Sequence, residues 1–229
     1  MRFIVKEQRY EKPIAAGLLR YERDGRTTGA VEHWRLTQAV EGYEILRVDL
    51  DARAAASGRS SLFHLVRQGN GRPERLNYRF WGDGLEIRGT LLFAETHVTA
   101  TRTVNGETFT EETALPAGYG FWFPSSVGLG LLAGFGGGTA TSVNSVQAVT
   151  LGSVSGDRYS VFGLQVVEVA LTEGEWTELE IARRMVAARP LTIRWQDEAR
   201  LIWLDEHEWP VMMQRGDGLT AVETHYIWY

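Results

Sequence analysis

The feature that most restricts the fold is a period of two, broken at short intervals by residues that favour tight turns. Between Tyr43 and Ala52, Leu46, Val48 and Leu50 share one parity, while Arg47, Asp49 and Asp51 share the other. Side chains alternate faces along a strand, so this segment reads as a strand with one buried and one wet face. Thr96–Val104 is rich in Thr and Val, which suits a pleated surface and disfavours a helix. Asp24-Gly25, Glu41-Gly42, Gly69-Asn70-Gly71, Asp83-Gly84, Asn105-Gly106, Gly156-Asp157 and Asp217-Gly218 punctuate the chain. Asn-Gly and Asp-Gly pairs accept positive φ at both centres of a hairpin turn. The expected fold is therefore all-β: a mainly antiparallel meander forming a curved half-barrel or a two-layer sandwich. Near its end, strands are expected at Thr177–Ala187, Leu191–Trp195, Arg200–Asp205, Pro210–Gln214 and Leu219–Trp228. Ser125–Leu132 is the best place for a short helix, with Ser125 as cap, although its glycines are costly inside one.

At 229 residues the chain fits a single all-β domain spanning 1–229, with a possible internal division at Gly134-Phe135-Gly136-Gly137-Gly138. Neither half carries helical patterns that could cover a separate sheet, which favours one continuous sheet or two packed ones. There is no Cys, which excludes disulfides, thiolate nucleophiles and thiolate metal sites. The net charge of −5 argues against a nucleic-acid partner, whose phosphates require a positive face. Met1–Glu7 holds an apolar run too short for a secretory signal, and Phe121–Ala140 is interrupted by Pro124, two Ser and repeated Gly, so no membrane span is expected. A cytoplasmic location follows as the expectation.

No complete catalytic or metal-binding motif is present. The five His form no HExxH pair, and the acids and His of Asp205-Glu206-His207-Glu208 point in different directions on a strand or turn. The G-x-S-x-G elbow is absent, and Glu111-Glu112 fall on opposite faces of a strand. Gly128-Leu129-Gly130-Leu131-Leu132-Ala133 matches the relaxed dinucleotide fingerprint, but no buried strand precedes it and no helix follows. No catalytic residue, metal or cofactor is expected.

Aromatic content points to a site of another kind. Eight Trp is a high number for this length, and several adjoin Arg, as in Trp34-Arg35, Arg79-Phe80-Trp81 and Arg194-Trp195. Indole rings supply wide apolar walls with one donor, and a guanidinium over such a ring adds attraction. In Tyr119-Gly120-Phe121-Trp122-Phe123-Pro124 four aromatics cannot all face inward on a regular strand, so the string either lines a cavity mouth or plugs the sheet. Trp34, Arg79, Trp81, Phe121, Trp122, Phe123, Trp195 and Trp203 are the candidate ligand-binding residues. The expected partner is an apolar or amphipathic small molecule, such as a lipid or glycolipid, held without catalysis. A small-molecule hydrolase or lyase using His, Glu and Arg, or a partner-binding domain, are the alternatives.

The order Asp24-Gly25-Arg26-Thr27-Thr28-Gly29-Ala30, a Trp-bearing strand, then Glu41-Gly42-Tyr43 resembles the opening meander of a bacterial family of glycolipid-binding proteins. The curved sheet of that family is similar to the half-barrel of lipoprotein carriers. The resemblance covers about the first half of the chain, the end of the chain departs from it, and it assigns no individual residue. It implies a concave sheet able to take an acyl chain or glycolipid.

Overall fold

In the computed structural model, which describes residues 1–135, 143–152 and 160–229, the alternation becomes sixteen strands of one large sheet among the described residues. The first eight are Lys12–Arg23 (β1), Arg26–Gln38 (β2), Glu44–Asp51 (β3), Ser60–Arg67 (β4), Pro73–Gly82 (β5), Leu85–Phe93 (β6), His97–Val104 (β7) and Glu107–Ala114 (β8). Gly120–Phe121 (β9) and a short helix, Ser126–Gly130 (α1), follow. Val143–Leu151 (β10), Leu164–Glu173 (β11), Thr177–Ile181 (β12) and Arg184–Trp195 (β13) open the second meander. Glu198–Leu204 (β14), Pro210–Arg215 (β15) and Leu219–Trp228 (β16) complete it. Pairing is antiparallel except between β9 and β10. Because β1 pairs with both β2 and β16, the two meanders form one sheet that is not closed into a barrel.

Asp24-Gly25, Asp83-Gly84 and Asn105-Gly106 take positive φ at both residues, as two-residue hairpins require. Gly156-Asp157 and Gly136–Gly138 of the glycine run lie outside the described residues. The single strand expected over Thr177–Ala187 is instead a hairpin. It turns at Ala182 and Arg183, whose φ values are 49° and 67°.

The sheet curls so that its inner face forms one core drawn from both meanders. Leu19, Trp34, Leu46, Phe63, Leu76 and Tyr78 come from the first, and Val169, Leu171, Leu191, Ile193, Ile202 and Leu204 from the second. Glycine permits two close approaches: a Cβ at Gly17 or Gly89 would overlap the rings of Trp34 and Tyr78, which lie flat on the neighbouring strand. The edge strand β8 is tied across the opening by Glu111, which accepts the Leu164 amide at 2.9 Å and pairs with buried Arg102.

Residues 119–135 run through the middle of the curl. Phe123 stacks on Phe63 with 4.6 Å between ring centroids, and Phe121, Trp122, Val127 and Leu132 are all buried. Withdrawing Phe121, Trp122, Phe123 and Leu132 into water would cost roughly 1.5–3 kcal/mol each. That sum rivals the whole net stability of a domain. The aromatic string is therefore a fixed plug, not a flap.

The outer face departs from the simple alternation. Arg47 and Asp49, expected to be wet, are buried because the N-terminal segment crosses over them. Arg47 donates to both carboxylate oxygens of Glu11 at 2.8 Å and to the Val5 carbonyl at 3.1 Å. Arg2 pairs with Asp49 at 2.8 Å, and Glu7 pairs with Arg35 at 2.6 Å. His64 is buried on this face, opposite Arg47, with neither ring nitrogen hydrogen-bonded among the described residues.

Burial and the nearby Arg47 and Arg75 lower the His64 pKa to about 4, with Glu11 opposing them. A His whose folded pKa lies below its unfolded value of about 6.5 stabilises the fold at neutral pH. That contribution is lost as pH falls from about 6.5 towards 4, by up to about 3 kcal/mol. Urea unfolding across this range is expected to lose stability in the wild-type protein and to lose less in His64→Leu.

Candidate functional site

The plug divides the hollow into two clefts at opposite ends. The first, of about 1280 Å³, opens beside the β1–β2 and β13–β14 turns and residues 52–59. Its apolar wall is made by Trp122, Trp195, Leu50, Leu129, Leu151 and Met213. The β alternation turns Trp195 inward with Leu191 and Ile193, and the plug delivers Trp122 to meet it. Their ring centroids are 5.4 Å apart at an interplanar angle of 61°, an edge-to-face contact. Arg200 sits over Trp195 at 5.2 Å from the ring centre.

The rim carries four arginines, paired with three acids. Arg23 and Arg215 share Asp217 at 2.9 and 2.6 Å, Arg200 pairs with Glu198 at 2.6 Å, and Arg59 pairs with Asp83. The Arg215 guanidinium holds the Asp217 carboxyl well below the usual range. A ligand at this rim meets donors whose charge is largely cancelled.

Beneath the floor lies Glu32, completely buried. It accepts the hydroxyl of Tyr21, the Ser126 amide at 3.0 Å and the Val127 amide at 2.8 Å. The Tyr21 oxygen also lies 2.8 Å from Ser126 Oγ, and Ser125 Oγ caps α1 by accepting the Gly128 amide at 2.8 Å. Burial raises the Glu32 pKa, and the converging donors oppose that rise. Tyr21 is pushed well above the usual phenol range, first by burial and then by Glu32. The cluster thus pins the first turn of α1 to strands β1 and β2.

The second cleft, of about 880 Å³, opens at the other end among Leu65, Tyr119, Phe121, Leu131, Phe135 and Trp209. Trp209 is held from behind by Trp34, which stacks on it at 4.5 Å. In the adjoining turn Asp205 Oδ1 accepts the amides of His207 and Trp209, at 3.0 and 2.8 Å.

The eight candidate residues do not form one concave site. Trp122 and Trp195 meet in the first cleft, and Phe121 lines the second. Trp34 and Phe123 are core, Trp34 behind Trp209 and Phe123 against Phe63. Arg79 and Trp81 alternate with inward-facing Tyr78 and Phe80 and so lie on the outer face, where Arg2 covers Trp81 at 5.3 Å. Trp203 lies on that face too, packed with Ile181, Ala188 and Val211. Tyr21 and Trp209 were not singled out from the sequence. A signal existed for Glu32, an acid on the same parity as Trp34 and Leu36.

Tyr21→Phe removes one donor from a buried carboxylate and is expected to lower stability by about 1–3 kcal/mol. Because the Glu32 pKa is raised, the carboxylate is charged above that pKa and neutral below it. The loss on denaturant unfolding should therefore be larger at pH 8 than at pH 4. No protein-family model, curated protein or solved structure matches this chain, and the two clefts with their pinned partition carry the functional argument.

Proposed function

We propose that the chain binds an uncharged or zwitterionic amphipathic small molecule in the first cleft, its apolar part against Trp122 and Trp195 and its polar part at the arginine rim. The observation that carries this reading is the Trp122–Trp195 pair walling a cleft of about 1280 Å³. Small-molecule sites are commonly concave, mostly apolar, and supplied with a few polar groups that fix orientation. The paired state of Arg23, Arg59, Arg200 and Arg215 supports a ligand of no net charge, since a fixed anion would have to compete with acids already in place. A lipid or glycolipid of hydroxylated head group has this chemistry.

Binding has more support than catalysis. No His is among the described residues lining the first cleft, and Glu32, the acid under its floor, already accepts three hydrogen bonds. A small-molecule partner also suits the negative net charge better than a nucleic acid would. No helix among the described residues is long and apolar enough to cross a membrane. The lack of Cys is compatible with the cytoplasm as the compartment.

Native mass spectrometry of gently purified protein, with lipid extraction, is expected to recover a bound amphiphile. A monoacylglycerol titration should quench Trp fluorescence saturably. Trp195→Ala should weaken that binding about tenfold or more, the scale of losing one large apolar contact. Recovering no molecule and seeing no saturable change would remove the proposal.

A further inference from the structure

The second cleft differs from the first in the state of its polar groups. The Tyr119 hydroxyl is buried and makes no well-formed hydrogen bond. Burial raises its pKa, and the Arg72 guanidinium beside it opposes that rise. Arg72 donates to the Ala94 carbonyl at 3.2 Å and, among the described residues, forms no ion pair. The other charges around the cleft are mostly matched: Arg67 by Glu44 at 2.8 Å, and Glu208 by Arg189 at 3.1 Å. Glu95 lies on the same rim. A buried phenol beside a poorly aligned guanidinium has a cost that a ligand can relieve, and a guanidinium paired with no acid among the described residues suits a carboxylate or phosphate oxygen.

We propose that this cleft is a second binding site, one for an amphipathic monoanion. Its head group sits on Arg72 and Tyr119, and its apolar part lies against Leu65, Phe121 and Leu131. Phe93 stacks on Tyr119 with parallel rings 6.3 Å apart, which fixes the phenol in place. Glu95 selects one negative charge over two, since a dianion would face repulsion from the same rim. The two ends of the hollow then divide the work: matched arginines at one mouth, an unmatched one at the other.

The test is isothermal titration of the full chain with dodecanoate, dodecyl phosphate and dodecanol, each below its aggregation concentration. Dodecanoate is expected to bind at least tenfold more tightly than dodecanol, which shares its tail. Arg72→Gln should abolish most of that preference, and Tyr119→Phe should weaken dodecanoate several-fold. Tyr119→Phe loses no well-aligned internal hydrogen bond among the described residues, so its melting temperature should stay close to the wild-type value, which separates lost binding from lost folding. At pH 8 dodecyl phosphate is largely a dianion, so dodecanoate is expected to bind more tightly, and tighter binding of dodecyl phosphate contradicts the selection of a monoanion. Equal binding of dodecanoate and dodecanol, or an unchanged dodecanoate affinity in both variants, overturns the proposal. Neither result touches the first cleft, whose monoacylglycerol carries no charge for Arg72 to read.

Discussion

The hollow of this protein depends on one buried carboxylate. Glu32 projects from the inner face of β2 and is fully buried, where an unpaired charge would cost several kcal/mol. It is retained because the start of α1 turns two amides toward it and β1 supplies the Tyr21 hydroxyl. The pairing works in both directions. The first amides of a helix have no partner within the helix, and here the sheet provides one. Without Glu32, α1 would lose this polar anchor, and the plug would keep its apolar contacts and the short β9–β10 pairing at its start.

Fixing the plug has consequences at both ends. A curled sheet of this width could collapse onto itself or enclose a single continuous space. The segment from Tyr119 to Phe135 prevents both by filling the middle with Phe121, Trp122, Phe123, Val127 and Leu132. Space then remains only towards the two rims. Each rim takes its character from the turns around it: Asp217 and Glu198 match arginines at one end, whereas Arg72 at the other donates to the Ala94 carbonyl and, among the described residues, pairs with no acid. One device therefore makes two clefts of different electrostatics on a single sheet.

Much of this was legible in the sequence. Alternation and Asp-Gly or Asn-Gly turns identified the meander, because strand parity and positive φ are local demands that local residues must meet. The hairpin at Ala182-Arg183 was not legible, since neither residue prefers the left-handed region and pairing with the adjacent strand imposes it. The burial of Arg47 and Asp49 was hidden for a similar reason. Their parity marks them as wet, and only the path of residues 2–11, far along the chain, covers them. The Tyr119–Pro124 string announced itself as unusual. Whether it lined or plugged the hollow depended on Glu32, about ninety residues earlier. Of the aromatic candidates, those on inward parity at strand ends, such as Trp195, reached a cleft. Those nearer the middle of an element, such as Trp34, went to the core, and Trp81 and Trp203 went to the outer face.

The most direct measurement of the pinned partition is native-state hydrogen exchange at the Ser126 and Val127 amides, followed residue by residue by NMR. If Glu32 anchors the plug, both amides exchange only through global unfolding, as slowly as Leu46 and Leu65 in the central strands. Exchange at the rate of an exposed turn such as Asn105-Gly106 would mean that the plug moves freely within the sheet, contradicting the division of the hollow into two clefts.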